Sequence, residues 1–258
     1  MFGGKMHTIT FANSKGGAGK STALMALACA LEARGHSTII ADLDEQGSMA
    51  TWLTANDGTY DLPDRKLIDI RQIYFTDNES RNADKTYEAL VAIEDERPDF
   101  ILIDTKGKAE KTNAMAMAAA DRVICPTNGD STEFDQITHT FNNFSAALEA
   151  VAPDETPHDF FRLMFTKTGV AMGSEVHGAR AALKEHFTWY YGLPLLATFN
   201  AAHLNGTTLS GLLKAAEAAL ADRGDKHTKR DRDQVAKYRK ALDAADAFLV
   251  ELLEDLGK

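Results

Sequence analysis

Cysteine is nearly absent: Cys29 and Cys125 are the only two in 258 residues. Both sit in apolar runs without a second cysteine at metal-ligand spacing. That argues against a disulfide scaffold, a zinc site or an iron–sulfur centre, and it reads as two inert thiols in a reducing compartment. Long apolar runs are missing too. No stretch approaches the roughly 18 apolar residues of a membrane span, and Met1 to Met6 holds no apolar core of signal-peptide length. A cytoplasmic protein is expected, with no membrane partner. Neither an internal repeat nor a low-complexity linker interrupts the chain, so one domain over residues 1–258 is expected. Positive charge is in deficit, 28 Lys and Arg against 38 Asp and Glu, for a formal charge of −10. This excludes coating nucleic acid with the whole surface but leaves a local patch open. Core material is present in ordinary amount, with 44% hydrophobic residues.

The apolar residues fall into alternating patterns. His7 to Ala12 reads as a strand, followed by a glycine-rich turn. Leu24, Leu27, Ala28 and Leu31, at i, i+3, i+4 and i+7, predict a helix with one buried face, stopped by Gly35. Thr38 to Ala41 predicts a strand ending on Asp42. Residues 54–81 are polar and irregular. A helix over Ala83 to Glu96, closed by Pro98, precedes a fully buried strand, Phe100 to Ile103, ending on Asp104. Further on, the pattern predicts a helix at Ala114 to Ala120 and a strand at Arg122 to Cys125, stopped by Pro126. A long helix then covers Thr132 to Val151. Phe161 to Phe165 (strand), Glu175 to Phe187 (helix) and Leu193 to Ala197 (strand) complete the series. Uniformly apolar strands alternating with helices indicate an α/β fold, a mostly parallel twisted sheet with helices on both faces. Ligands of such sheets sit at the carboxyl ends of the strands.

Just past the first strand lies Ser14-Lys15-Gly16-Gly17-Ala18-Gly19-Lys20-Ser21-Thr22. Gly19, Lys20 and Ser21 match the phosphate-loop pattern G-x-x-x-x-G-K-[ST] between a strand and a helix, with Ser14 where the first glycine is usual. Glycines at 16, 17 and 19 let backbone N–H groups curl around an anion, and the helix N-terminus adds its positive end. In that chemistry Lys20 bridges the β- and γ-phosphates and the Ser21 hydroxyl ligates Mg²⁺. The bland alternative is a glycine-rich turn that happens to contain lysines.

The run K-G-G-x-G-K-[ST]-T, with its extra Lys15, resembles the ParA/MinD superfamily of deviant-Walker P-loop ATPases. The resemblance implies ATP and Mg²⁺ as ligands, ATP hydrolysis, and an ATP-sandwich homodimer in which Lys15 reaches the partner's phosphates. Asp42-Leu43-Asp44-Glu45-Gln46-Gly47 is similar to the family's D-x-D-P-Q-G, which implies that Asp42 belongs to the Mg²⁺ surroundings and that Asp44 positions the attacking water. Ordinary turn formation is the alternative for two aspartates at a strand end. Asp104 has the form of a Walker B aspartate that holds Mg²⁺. The family continues D-T-P-P-G, whereas this chain reads Asp104-Thr105-Lys106-Gly107-Lys108, which implies a looser loop and a lysine near the γ-phosphate. Asp121 and Asp135 match family positions expected to be structural, and Phe199 to Ala202 matches the adenine-pocket region weakly. The resemblance covers about residues 7–212. The first strand begins at residue 7, as in the short ParA-like branch, and the look is closest to accessory ATPases of conjugative or T-DNA transfer, with plasmid or chromosome partition beside it.

Residues 222–240 carry eight Lys and Arg (Arg223, Lys226, Lys229, Arg230, Arg232, Lys237, Arg239, Lys240) against four Asp. This local surplus suits sequence-independent docking on DNA phosphates, with a solvated helix face as the alternative. Val235, Tyr238, Leu242, Ala245, Leu249, Leu252 and Leu256 form a heptad stripe, expected to pack the 222–258 segment on the domain, with a partner-binding or dimer seam as the alternative. A membrane-binding C-terminal helix is disfavoured by Glu251, Glu254 and Asp255. The expected function is ATP-driven positioning of DNA cargo, on the nucleoid and with an activating partner protein. The alternatives are a MinD-like ATPase that does not act on DNA, or an ATP-binding scaffold with negligible hydrolysis. A ligase or small-molecule kinase would have no use for Lys15.

Overall fold

The structure, a computed structural model, describes residues 5–257 apart from 65, 76–78, 108–110, 169–173 and 195–196. Its strands are β1 (His7–Phe11), β2 (Thr38–Asp42), β3 (Ile68–Gln72), β4 (Phe100–Asp104), β5 (Arg122–Thr127), β6 (Phe161–Thr168) and β7 (Trp189–Pro194). Its helices begin with α1 (Lys20–Ala33), α2 (Glu79–Glu94), α3 (Lys111–Ala118), α4 (Phe134–Val151) and the short α5 (Pro157–Phe160). Then come α6 (Ser174–His186), α7 (Ala197–Leu204), α8 (Leu209–Arg223) and α9 (Lys229–Leu256). The strands form one parallel sheet in the order β3-β2-β4-β1-β5-β6-β7.

The central strands are apolar throughout because both faces are covered, yet their side chains still alternate. Phe100 and Leu102 join a core with Ile9, Phe11 and α1, while Ile101 and Ile103 join Leu90 and Ile93 of α2 on the opposite face. Val123 and Cys125 turn to a third cluster with Ile137, Phe144 and Leu148 of α4.

Several elements depart from the sequence pattern. The α1 helix was expected to bury one face, but every residue from Ala23 to Leu31 is buried. The reason is a second helical layer: Phe199 and Ala202 of α7, Leu209 and Leu212 of α8, and Ala241, Ala245, Phe248, Leu249 and Leu252 of α9 close over its outer side. The polar stretch 54–81 contains β3 (Ile68-Asp69-Ile70-Arg71-Gln72), an edge strand whose residues after Ile68 are only half-buried. There Arg71 bonds both Asp69 and Glu96. Strand β5 runs through Pro126 to Thr127. Pro126 lies beyond Ile124, the last β5 residue paired with β1, so its missing N–H takes no bond from that ladder. The last strand is β7, earlier than Leu193 to Ala197; Ala197 opens α7, and residues 195 and 196 lie outside the described residues.

At the opposite end of the sheet from the strand carboxyl termini, Asp255 ties the end of α9 to the starts of β5 and β6. It accepts from Arg122 Nε (2.7 Å), Arg162 Nε (2.9 Å) and the Tyr190 hydroxyl (2.8 Å).

Candidate nucleotide site

The loop leaving β1 is held from its first residue. Asn13 donates to the Pro126 carbonyl and accepts from the Lys15 N–H, both at 2.8 Å, and Ser14 bonds Thr140 and the Gln136 carbonyl of α4. Gly17 and Gly19 have φ of 73° and 96°, the left-handed region in which a side chain is strained. Gly19 then caps α1 without a side-chain hydrogen bond, so the first N–H groups of the helix are left for an anion.

These groups open on a cavity of about 690 Å³ lined by Gly16, Gly17, Gly19, Lys20, Ser21, Thr22, Asp44, Glu45, Gln46, Ser48, Lys106 and Gly107. Ala18 faces inward and is buried. The loops from three neighbouring strands therefore meet here, and the register explains why: Asp104 of β4 pairs with both Phe11 of β1 and Asp42 of β2. Thr105 donates to the Phe11 carbonyl (2.8 Å). Gly107 lies so close to the phosphate loop that a Cβ on it would stand 3.2 Å from Gly16 Cα.

Two charged groups at the cavity, Lys20 and Asp104, are buried. The Lys20 side chain is buried; burial pulls its pKa down against the pull of Asp104 and Asp44, and its one hydrogen bond among the described residues is a long 3.5 Å contact to the Lys15 carbonyl. Asp104 is fully buried. Its Oδ2 accepts from Ser21 Oγ at 2.7 Å, while Oδ1 has no hydrogen-bond partner among the described residues. Burial lifts the carboxyl to about 7, opposed by the Ser21 hydrogen bond and Lys20 and helped by Asp42 and Asp44. A buried, unpartnered carboxylate oxygen next to a serine hydroxyl is the donor set that a hard divalent cation and its water shell would satisfy. The residues present thus fit Mg²⁺ and an anionic phosphate chain.

Asp42 and Asp44 sit differently. Asp42 Oδ1 accepts from the Asp44 N–H, and Oδ2 from those of Met49 and Ala50, each at 3.0 Å. Its oxygens are spent on pinning the loop after β2, so the geometry gives it a holding role rather than a ligand position beside Ser21 and Asp104. Asp44 lines the cavity, and its Oδ1 accepts a local bond from the Gln46 N–H at 3.0 Å.

Lys15 points away from that cavity. Its ammonium lies 2.8 Å from Glu133 Oε1. Glu133 is fully buried and also accepts from Thr127 Oγ1, the Asn128 N–H (2.8 Å) and Asn128 Nδ2 (3.2 Å). Burial pushes its pKa up, but Lys15, Thr127 and Asn128 outweigh this and hold it low. Sequence reasoning missed Glu133; Asp135, two residues on and matched to a structural family position, is exposed. The signal that existed, Asp130 three residues before Glu133, reads as a helix capping box. Asp130 does cap, through the Thr132 N–H, but Glu133 turns inward instead of back to it.

Asp121 serves the other end of the sheet, accepting from the Thr8 N–H at 2.9 Å. Phe199 and Ala202 fill the core beside α1 and do not line the cavity. Lys108 lies outside the described residues. In the basic segment Lys226, in the turn before α9, and Lys229, Arg230, Arg232, Lys237, Arg239 and Lys240, on α9, are all exposed. Arg223 pairs with Asp231 and Arg239 with Glu217, each at 2.6 Å. Among the described residues no helix is long and apolar enough to cross a membrane.

The family model described as ATPase MipZ matches residues 7–148. Protein virC1 of Rhizobium radiobacter is 30% identical over 138 residues, 53% of this chain and 55% of its own length. The chain thus spans about half the length of the curated relatives it matches. A candidate plasmid partition protein of Borrelia burgdorferi B31, solved bound to AMPPNP, has the same fold at TM-score 0.64 and 19% identity, over 96% of this chain and 100% of that one. So does the septum site-determining protein MinD of Pyrococcus horikoshii with Mg-ADP, at TM-score 0.57 and 15% identity, over 94% and 96%. The chain belongs to the ATPase MipZ family and, with it, to the ParA/MinD superfamily of P-loop ATPases.

Proposed function

We propose that this chain binds ATP with Mg²⁺, closes into an ATP-sandwich homodimer, binds DNA without sequence preference and positions DNA cargo, in partition or in DNA transfer. The observation that carries the reading is the cavity itself: an uncapped helix N-terminus, the buried Lys20 ammonium, and, beside Ser21, an Asp104 oxygen without a partner among the described residues. In this reading Gly16 to Thr22 cradle the phosphates, Ser21 and Asp104 hold Mg²⁺, and Asp44 orients the attacking water. The metal ion neutralises charge on the transferring phosphoryl group. Hydrolysis is slow until an activating partner protein acts.

Lys15 supports the dimer. A second lysine in the loop that does not serve its own cavity is available to a partner's phosphates once it leaves Glu133. Two copies of the basic strip on one dimer would gain avidity, so DNA affinity should rise when ATP closes the pair. It should fall steeply with salt, since the contacts are to phosphates. Sedimentation with and without ATP and a filter-binding salt series test both parts. Lys15→Ala should abolish dimer and DNA binding together, and Arg230→Glu with Arg232→Glu should abolish DNA binding alone. A monomer at saturating ATP defeats the first half, and unchanged DNA binding in the double reversal defeats the second.

The ion pairs Arg223–Asp231 and Arg239–Glu217 favour a second reading, an ATP-driven positioning protein whose cargo is not DNA. No ATP-dependent DNA binding at low salt, together with an intact ATP dimer, would select it.

A further inference from the structure

We propose that Lys106 is a γ-phosphate-binding residue of this chain, held in reserve by Glu45 until ATP arrives; the proposal rests on the ATP reading above. Lys106 lines the same cavity as Lys20 and Ser21. Its backbone stands on a fixed frame. Thr105 before it bonds the Phe11 carbonyl, Gly107 after it lies against Gly16 of the phosphate loop, and its own carbonyl accepts from Asn113 Nδ2 at 3.0 Å. The side chain is only 12% exposed and its ammonium sits 4.3 Å over the Phe75 ring. That packing keeps the charge at the mouth of the cavity rather than letting it swing into solvent.

The ammonium is 2.8 Å from Glu45 Oε1, and Glu45 is 67% exposed. The pair therefore links the loop after β4 to the loop after β2 across the cavity. Its two halves are unequal: water can resolvate Glu45 at little cost, whereas Lys106 is largely shielded and needs a counter-anion. A terminal phosphate carries more charge than a carboxylate and offers three acceptor oxygens. When ATP fills the cavity, the γ-phosphate displaces Glu45 as the partner of Lys106. ADP ends one phosphate short and leaves the Lys106–Glu45 pair closed. Lys106 thus tells ATP from ADP and releases the loop after β2, which carries Asp44, only for ATP.

The experiment compares AMPPNP and ADP binding, both with Mg²⁺, by calorimetry. Lys106→Met keeps the stem on Phe75 and removes the charge. It should weaken AMPPNP by roughly 10- to 100-fold, the range for losing a charged hydrogen bond, while ADP stays within about threefold. Lys106→Arg should restore most of the loss. Glu45→Gln should tighten AMPPNP a few-fold, because the competitor is gone, and leave ADP unchanged. Equal losses for both nucleotides, or no loss for either, overturn the proposal. Lys20→Ala separates this from the parent reading: if it leaves both nucleotides bound as before, the nucleotide site itself is misassigned.

Discussion

Asp104 suits a cation and penalises the fold when none is bound, so Asp104→Asn should stabilise the bare protein while disabling the site. The carboxyl is fully buried and lifted from 3.8 to about 7, chiefly by burial. The folded value lies above the unfolded one, so the fold keeps a proton that the unfolded chain releases. Stability present below about pH 4 is then lost as pH rises to about 7, in total about 4 kcal/mol. Asparagine keeps an oxygen for Ser21 and carries no charge, so it escapes that loss. It also buries N–H donors where Oδ1 has no partner, which costs about 1–3 kcal/mol at every pH. The net expectation near pH 8, with chelator and without nucleotide, is a variant about 1–3 kcal/mol more stable than the parent. Near pH 4 the order should reverse. Urea denaturation across this range measures the difference, and nucleotide titration with Mg²⁺ on the same samples should find affinity lost. A stability difference that is flat with pH would refute the burial argument. Undiminished Mg²⁺-dependent binding would refute the metal assignment.

Asp44→Ala should bind AMPPNP about as well as the parent yet hydrolyse ATP at least tenfold more slowly; parental turnover would reduce Asp44 to a turn residue. Glu133→Gln keeps an acceptor for Thr127 and Asn128 but removes the charge that holds Lys15, so its ATP dimer should form at lower protein concentration in sedimentation. An unchanged midpoint would mean that the Lys15–Glu133 pair does not restrain dimerisation. Asp255→Asn removes the charge between Arg122 and Arg162. Burial works against that carboxylate, but the two arginines and Tyr190 hold it at about 2. The pair should therefore contribute about 2–3 kcal/mol above pH 4 and progressively less as pH falls toward 2, as acid and urea denaturation would record; equal stability of parent and variant at pH 7 would remove the anchoring role.

The local signals in this chain were chemical and short-range, and the sequence carried them alone. Glycines at 17 and 19 need no partner to take positive φ, and the spacing of Gly19, Lys20 and Ser21 fixes a cradle at a helix start. Continuous apolar runs ending in Asp42 and Asp104 place two acids at strand ends, because a strand buried on both faces needs no polar alternation. Tertiary structure decided what depends on residues far apart in the chain. The edge strand β3 was unreadable because Asp69 and Arg71 reflect its half-open face and Gln72 is polar for its bonds to the loop after β2, and only pairing with β2 makes it a strand. The burial of α1 on every side from Ala23 to Leu31 required α7, α8 and α9 to fold over it from far along the chain. The division of labour among the acids was likewise decided in space. Backbone N–H groups from the following loop claim both oxygens of Asp42, whereas Asp104 keeps one oxygen without a partner among the described residues. Glu133, not the nearby Asp135, meets Lys15, because the turn after β5 points one carboxylate inward and leaves the other in water.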